Sequence, residues 1–206
     1  MILVILLGVI LATIVRRFHV GIYQSVADHV RCRLLFVGDS LTAQAGVWGW
    51  KLGRWWPDSQ NHAVSGADIY LIRAIAGEMV PALQPECVVV MGGINDLGRD
   101  HEPARVLADY TDLLAVIRAT DSVKHVIVLS TLYRRDDKYT PGVRFLNDGL
   151  RELCEREGLT FLDLPPDLCT NDRLNAEFAA GMVHLNAEGY RVWAEKLAPV
   201  LAEILK

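Results

Sequence analysis

The chain has 206 residues, of which 51% are hydrophobic and 22% charged, with a net charge of −4. That length supports one globular domain with a sizeable core, and the mild acidity excludes the basic footprint of a nucleic-acid-binding protein. The four cysteines, Cys32, Cys87, Cys154 and Cys169, are widely separated and show neither a CxxC pair nor zinc-type spacing. They read as buried or free thiols, with no metal and no disulfide framework implied.

Residues 1–15, MILVILLGVILATIV, carry no charged side chain, and Arg16 and Arg17 follow. As a helix this run spans roughly 22 Å, short of a ~30 Å hydrocarbon core. Apolar character resumes at Phe18, Val20, Ile22 and Tyr23, and arginines can snorkel, so the span is longer than it first looks. A cleaved secretory signal would need a basic leader and an A-x-A-like site, and neither is evident. A buried core helix would show a polar face. The reading that fits is an uncleaved N-terminal membrane anchor over residues 1–23, with a connector to residue 30 and a domain over residues 31–206. The positive-inside rule places the arginine side, and so the domain, in the cytoplasm.

Past the anchor, RLLFV (33–37) is a continuous apolar run of the kind found in buried parallel strands. It ends at Gly38-Asp39-Ser40, and a helical stretch is expected through about Trp56. Trp48, Leu52 and Trp55 share one face of that stretch, which points to core packing, with contact to an acyl chain or a membrane interface as the sharper alternative. WPDSQN reads as a turn and HAVSGAD as a short strand running into a loop. Residues 68–80 are expected to be helical, interrupted by PALQPE. CVVVMGG (87–93) is a second buried strand ending in GGIND. A helix is expected over 103–119, a strand at HVIVLST (125–131), a polar loop at YRRDDKYTPG and a helix over 142–157. LTFLDL is a fourth strand, PPDLCTNDRLNAEF a long loop, and residues 187–205 a final amphipathic helix.

Strands that alternate with helices and carry unbroken apolar runs imply an α/β fold with a parallel, doubly wound sheet. In such sheets, sites form beyond the carboxyl ends of the strands. Asp39 and Ser40, Ser65 and Gly66, Asn95 and Asp96, and His184 all fall in segments that reach that edge. A serine is a weak nucleophile until a base takes its proton. Of the six histidines, His184 has the best context, since His19 and His29 lie near the anchor, His125 begins a strand, and His62 and His101 sit in other loops. Attack on an acyl carbonyl generates an oxyanion that needs prepared donors. Ser40 N–H at a helix start, Gly66 N–H and the Asn95 side-chain amide are candidates. The plain alternatives are a helix-capping serine and ordinary turn chemistry for Gly66 and Asn95.

Four blocks in order carry a resemblance. FVGDSLTA, NHAVSGAD, GGIND and VHLNAEGY span residues 36–190, and the chain is similar to the SGNH/GDSL hydrolase superfamily. The resemblance implies a three-layer α/β/α sandwich with a flavodoxin-like parallel sheet of about five strands. It also implies ester or thioester hydrolysis without a cofactor or metal. The nucleophile would be Ser40, the base His184, and the oxyanion donors Ser40, Gly66 and Asn95. Asp39 and Asp96 would hold loops. The superfamily usually has an aspartate three residues before the histidine, and here that position is Gly181.

Three outcomes stay open for His184. It could work in a dyad, oriented by a backbone carbonyl or water. Glu177 or Asp172 could substitute for the missing acid. The chain could also bind without turnover. The expected substrate is a small-molecule or lipid acyl ester met by a membrane-tethered serine hydrolase. The rival expectation is a catalytically degenerate assembly subunit joined to a membrane-protein partner.

Overall fold

In the computed structural model, residues 31–52 and 58–206 are described. The chain divides into residues 1–31 and residues 32–206, and all the described strands and helices belong to the second unit. The expected anchor and connector lie outside the described residues. Among the described residues, no helix is long and apolar enough to cross a membrane.

Five parallel strands, β1 (Leu34–Gly38), β2 (Ser59–Asn61), β3 (Cys87–Met91), β4 (His125–Leu129) and β5 (Thr160–Leu162), form one sheet in the order β2-β1-β3-β4-β5. This is the flavodoxin-like order, with its switch point between β1 and β3. Apart from His125 at the start of β4, the three central strands carry no polar side chain, because both of their faces are covered. Leu34, Phe36, Val89, Ile127 and Leu129 pack into one core. Leu35, Val37, Val88, Val90, Val126 and Val128 pack into the other.

The first core is closed by α1 (Ser40–Ala43), α2 (Trp48–Lys51), α7 (Pro165–Leu168) and α8 (Ala187–Ile204). The second is closed by α3 (Ile69–Leu83), α5 (Pro103–Arg118) and α6 (Thr140–Glu157). A short helix, α4 (Ile94–Gly98), follows β3. The result is the three-layer α/β/α sandwich expected. Trp48 is a core residue, 1% exposed, stacked on Phe36 at 4.7 Å and set 4.8 Å from Trp193. Leu52 is buried with it, while Trp55 lies outside the described residues. Cys32, Cys87 and Cys154 are buried free thiols and Cys169 is half-buried.

Several local expectations are corrected. The helix expected from Ser40 to about Trp56 is two short helices separated by a turn at Gly46, with residues 53–57 outside the described set. The second strand is not in HAVSGAD but at Ser59–Asn61, inside the segment read as a turn. It is a polar edge strand held to β1 by its backbone, so hydropathy gives no sign of it. Helix α3 runs through Pro81 to Leu83, because Val80 and Leu83 are buried and anchor its last turn. The long loop after β5 contains α7 and two small antiparallel pairings. These are β6 (Cys169–Thr170) with β7 (Arg173–Leu174), and β8 (Ala179–Ala180) with β9 (His184–Leu185).

Candidate active site

Strand β1 delivers the serine. A Cβ on Gly38 would come within 2.6 Å of the Met91 carbonyl oxygen, so only glycine lets β1 and β3 approach here. Asp39 caps α1, its Oδ1 accepting from Leu41 N–H at 2.9 Å. The plain reading of Ser40 as a capping residue is therefore displaced, since Asp39 does that work. Ser40 is the first helical residue, and its N–H has no acceptor within its own helix.

The histidine arrives from the other end of the chain. Ala180 pairs with His184 across the β8–β9 hairpin, and Arg135 N–H donates to Met182 O at 2.9 Å to fix the turn between them. Asn186 then caps α8, its Oδ1 accepting from Gly189 N–H at 3.0 Å while its Nδ2 donates to Glu177 O at 2.7 Å. Tyr190 Oη donates to Leu41 O at 2.7 Å, which bolts this helix to the turn that carries the serine. His184 Nε2 and Ser40 Oγ stand 2.9 Å apart. The hydroxyl donates in the tautomer that carries its proton on Nδ1, the arrangement a general base requires.

The two further candidate donors meet on the same side. Gly66 has φ +80°, a left-handed conformation that favours glycine, and nothing lies within 4 Å of where a Cβ would sit. Its glycine is demanded by conformation, not by crowding. Asn95 Nδ2 donates to Ala67 O at 2.9 Å, which uses one amide hydrogen and leaves the other available. Asp96 is buried and receives Ile69 N–H at 3.2 Å on each carboxylate oxygen. Like Asp39, it holds a loop. Ser40, Gly66, Asn95 and His184 line one cavity of about 590 Å³, together with Ser65, Arg99, Arg134 and Tyr139.

Burial raises the carboxyl of Asp39 to about 7; the bond from Leu41 opposes that rise and the nearby Asp96 adds to it. Burial raises Asp96 as well. Two buried carboxyls thus lie beneath the serine turn, and Asp39 Oδ2 has no hydrogen-bond partner among the described residues.

Neither candidate acid is brought to the histidine. Asp172 is ion-paired with Arg144 and hydrogen-bonded to Tyr133. The side chain of Glu177 is exposed. No hydrogen bond to His184 Nδ1 occurs among the described residues. Gly181 has φ +93° with open space around it, in the turn between β8 and β9. The usual aspartate position is thus occupied by backbone of a hand that L side chains rarely adopt. Of the other described histidines, His62 Nε2 lies 2.8 Å from Gln60 Oε1, His101 is 3.7 Å from Asp96, and His125 opens β4.

Two arginines also line the cavity. Arg99 is not singled out by the sequence; it follows Asn95 by four residues, one helical turn, and that spacing is its only signal. Arg134 belongs to YRRDDKY, most simply a solvated loop but one that at the carboxyl edge of the sheet could meet a polar substrate; it lines the cavity with both Nε and Nη2 held by Asp136 at 2.7 Å.

The chain resembles several solved structures. A Bacteroides fragilis protein assigned as an acylhydrolase superposes with a TM-score of 0.77 at 19% identity, covering 89% of this chain and 95% of its own. A GDSL-like lipase from Bacteroides thetaiotaomicron gives 0.74 at 16% identity, covering 89% and 97%. A carbohydrate esterase family 3 protein from Talaromyces cellulolyticus gives 0.70 at 18% identity, covering 84% and 97%. At such identities these likenesses speak to the fold. No curated protein matches the chain. The sequence profile of one family matches residues 36–192, from the strand before the serine to the helix after the histidine, and so the chain belongs to the GDSL-like lipase/acylhydrolase family.

Proposed function

We propose that this protein is a serine hydrolase of ester or thioester bonds that works with a Ser–His dyad. Ser40 Oγ attacks the acyl carbonyl while His184 Nε2 takes its proton. The carbonyl oxygen, now an oxyanion, receives hydrogen bonds from Ser40 N–H, Gly66 N–H and Asn95 Nδ2. His184 returns the proton to the departing alcohol or thiol, leaving an acyl-enzyme. Water deprotonated by His184 then cleaves that ester and restores Ser40. The observation that carries this reading is the 2.9 Å contact between Ser40 Oγ and His184 Nε2 in a cavity shared with Gly66 and Asn95. The aliphatic side chains lining that cavity are Ile94 and Val183.

The test is hydrolysis of a short p-nitrophenyl ester by the full chain. Turnover by wild type that is lost in Ser40→Ala supports the reading; absence of turnover, or turnover unchanged by Ser40→Ala, overturns it. A second reading is favoured by one feature, the lack among the described residues of an acid at His184 Nδ1, with Gly181 at the usual aspartate position. On that reading the domain binds acyl esters or a membrane-protein partner without turnover, and the same assay separates the two.

A membrane tether belongs to the same proposal. Residues 1–23, uncharged to Val15 and then bearing Arg16 and Arg17, would anchor the domain to the membrane with its catalytic unit in the cytoplasm. Lipid-derived esters would then be within reach. Fractionation of the full chain and of a chain lacking residues 1–17 tests this: recovery of both in the soluble pool would rule out the tether.

A further inference from the structure

A single guanidinium grips both segments that carry the proposed oxyanion donors, the loop of Gly66 and helix α4 of Asn95. Arg99 Nη2 donates to Gly66 O at 2.8 Å and Nη1 donates to Asn95 O at 3.4 Å. Its own N–H caps α4 through the carbonyls of Asn95 at 3.1 Å and Asp96 at 3.0 Å. Its guanidinium lies 3.7 Å from the Asp68 carboxylate, in the same loop as Gly66. With 49% of its side chain exposed, Arg99 contributes little to the core. Its hydrogen bonds go to backbone carbonyls at the rim of the cavity.

Gly66 is where such a grip matters. With φ +80° and open space beyond its Cα, the residue has no side chain and no steric wall to set its orientation. On its C-terminal side the peptide is held by Ala67 N–H donating to Val64 O at 3.1 Å and by Asn95 Nδ2 donating to Ala67 O at 2.9 Å. The Gly66 carbonyl itself is held by Arg99. Two donors stabilise an oxyanion only when both point at the same oxygen before charge develops. A planar fork that reaches two carbonyls fixes their separation, whereas a lysine ammonium on a flexible stem does not.

The geometry points to Arg99 as a positioning residue that holds Gly66 and Asn95 at the spacing the oxyanion requires, a role that rests on the hydrolase reading above. Replacing Arg99 by Met or by Lys lowers kcat on p-nitrophenyl acetate by about 10- to 100-fold, somewhat less than removal of a donor itself, while KM stays within about threefold. Millimolar methylguanidinium restores part of the activity of Arg99→Ala and none of that of Ser40→Ala. Arg118→Met, which removes an ion pair with Glu157 at the far edge of the sheet, serves as the control. Amide exchange at Gly66 and Ala67 is faster in Arg99→Met than in wild type.

Wild-type kcat in both Arg99→Met and Arg99→Lys, or a loss confined to KM, overturns the inference. A wild type without esterase activity overturns the hydrolase reading instead. The clamp is then decided by exchange alone, where faster exchange at Gly66 and Ala67 supports it and unchanged exchange overturns it.

Discussion

Ser40 and His184, 144 residues apart in sequence, meet at 2.9 Å through Oγ and Nε2, and the far side of the imidazole meets no carboxylate among the described residues. If these two groups act as one unit, removing either costs about as much as removing both. Ser40→Ala, His184→Ala and the double variant should each lower kcat by about 10³- to 10⁴-fold, without additivity. Steady-state kinetics on a short ester checks this, and a double variant far worse than either single would argue against a dyad.

The acids near the site should prove dispensable for catalysis. Asp172 is engaged with Arg144 and Tyr133, and Glu177 is exposed. Asp172→Asn and Glu177→Gln should therefore keep kcat within about threefold of wild type, in the range expected of a residue outside the reacting unit. A much larger drop in either, at unchanged melting temperature, would identify the borrowed acid.

Restoring the usual aspartate should not restore a triad. Gly181 has φ +93°, so an L side chain there is strained. Gly181→Asp should cost about 1–2 kcal/mol of stability and bring no gain in kcat. Thermal melts and kinetics together decide, and a tenfold rise in kcat would show that the hairpin can rearrange to present the carboxylate.

Asp39 makes stability depend on pH in an unusual direction. Its carboxyl, raised by burial to about 7 in the folded protein, titrates near 3.9 when unfolded. Between those values the folded state binds the extra proton, so the stabilisation is complete at acid pH and is lost as pH rises through about 7. Melting temperature should fall between about pH 4 and pH 7 and level off above that, and Asp39→Asn, which keeps an oxygen for Leu41 N–H, should flatten that slope. A slope unchanged by the substitution would place the titration elsewhere.

Trp48 fixes the layer beneath the serine turn. It is buried, stacked on Phe36 at 4.7 Å and close to Trp193 at 4.8 Å. Trp48→Ala should cost about 3–5 kcal/mol, read from denaturant unfolding. A cost below about 1 kcal/mol would mean that the site collapses around the change.

The sheet is legible in the sequence where physics leaves a one-dimensional trace. Strands β1, β3 and β4 are buried on both faces, so their apolar runs announce them. β2 leaves no such trace, because Ser59, Gln60 and Asn61 form an edge strand bound through backbone groups. The break between α1 and α2 is hidden because helical spacing persists across Gly46 while the backbone does not. The convergence of Ser40, Gly66, Asn95 and His184 follows from motif order and from the rule that sites gather at carboxyl ends of strands. Arg99 does not, because its partners are carbonyl oxygens, which no side-chain pattern records.

The bolt from Tyr190 to Leu41 has a consequence for biosynthesis. The serine turn leaves the ribosome early, but its base and its brace both come from the last hairpin and helix. On the proposed mechanism, a nascent chain would carry an unarmed nucleophile through most of its translation, and activity would begin only when the segment from His184 to Tyr190 has cleared the exit tunnel. Ribosome-stalled chains ending before residue 184 should accordingly be inert toward a serine-directed probe that labels the released protein.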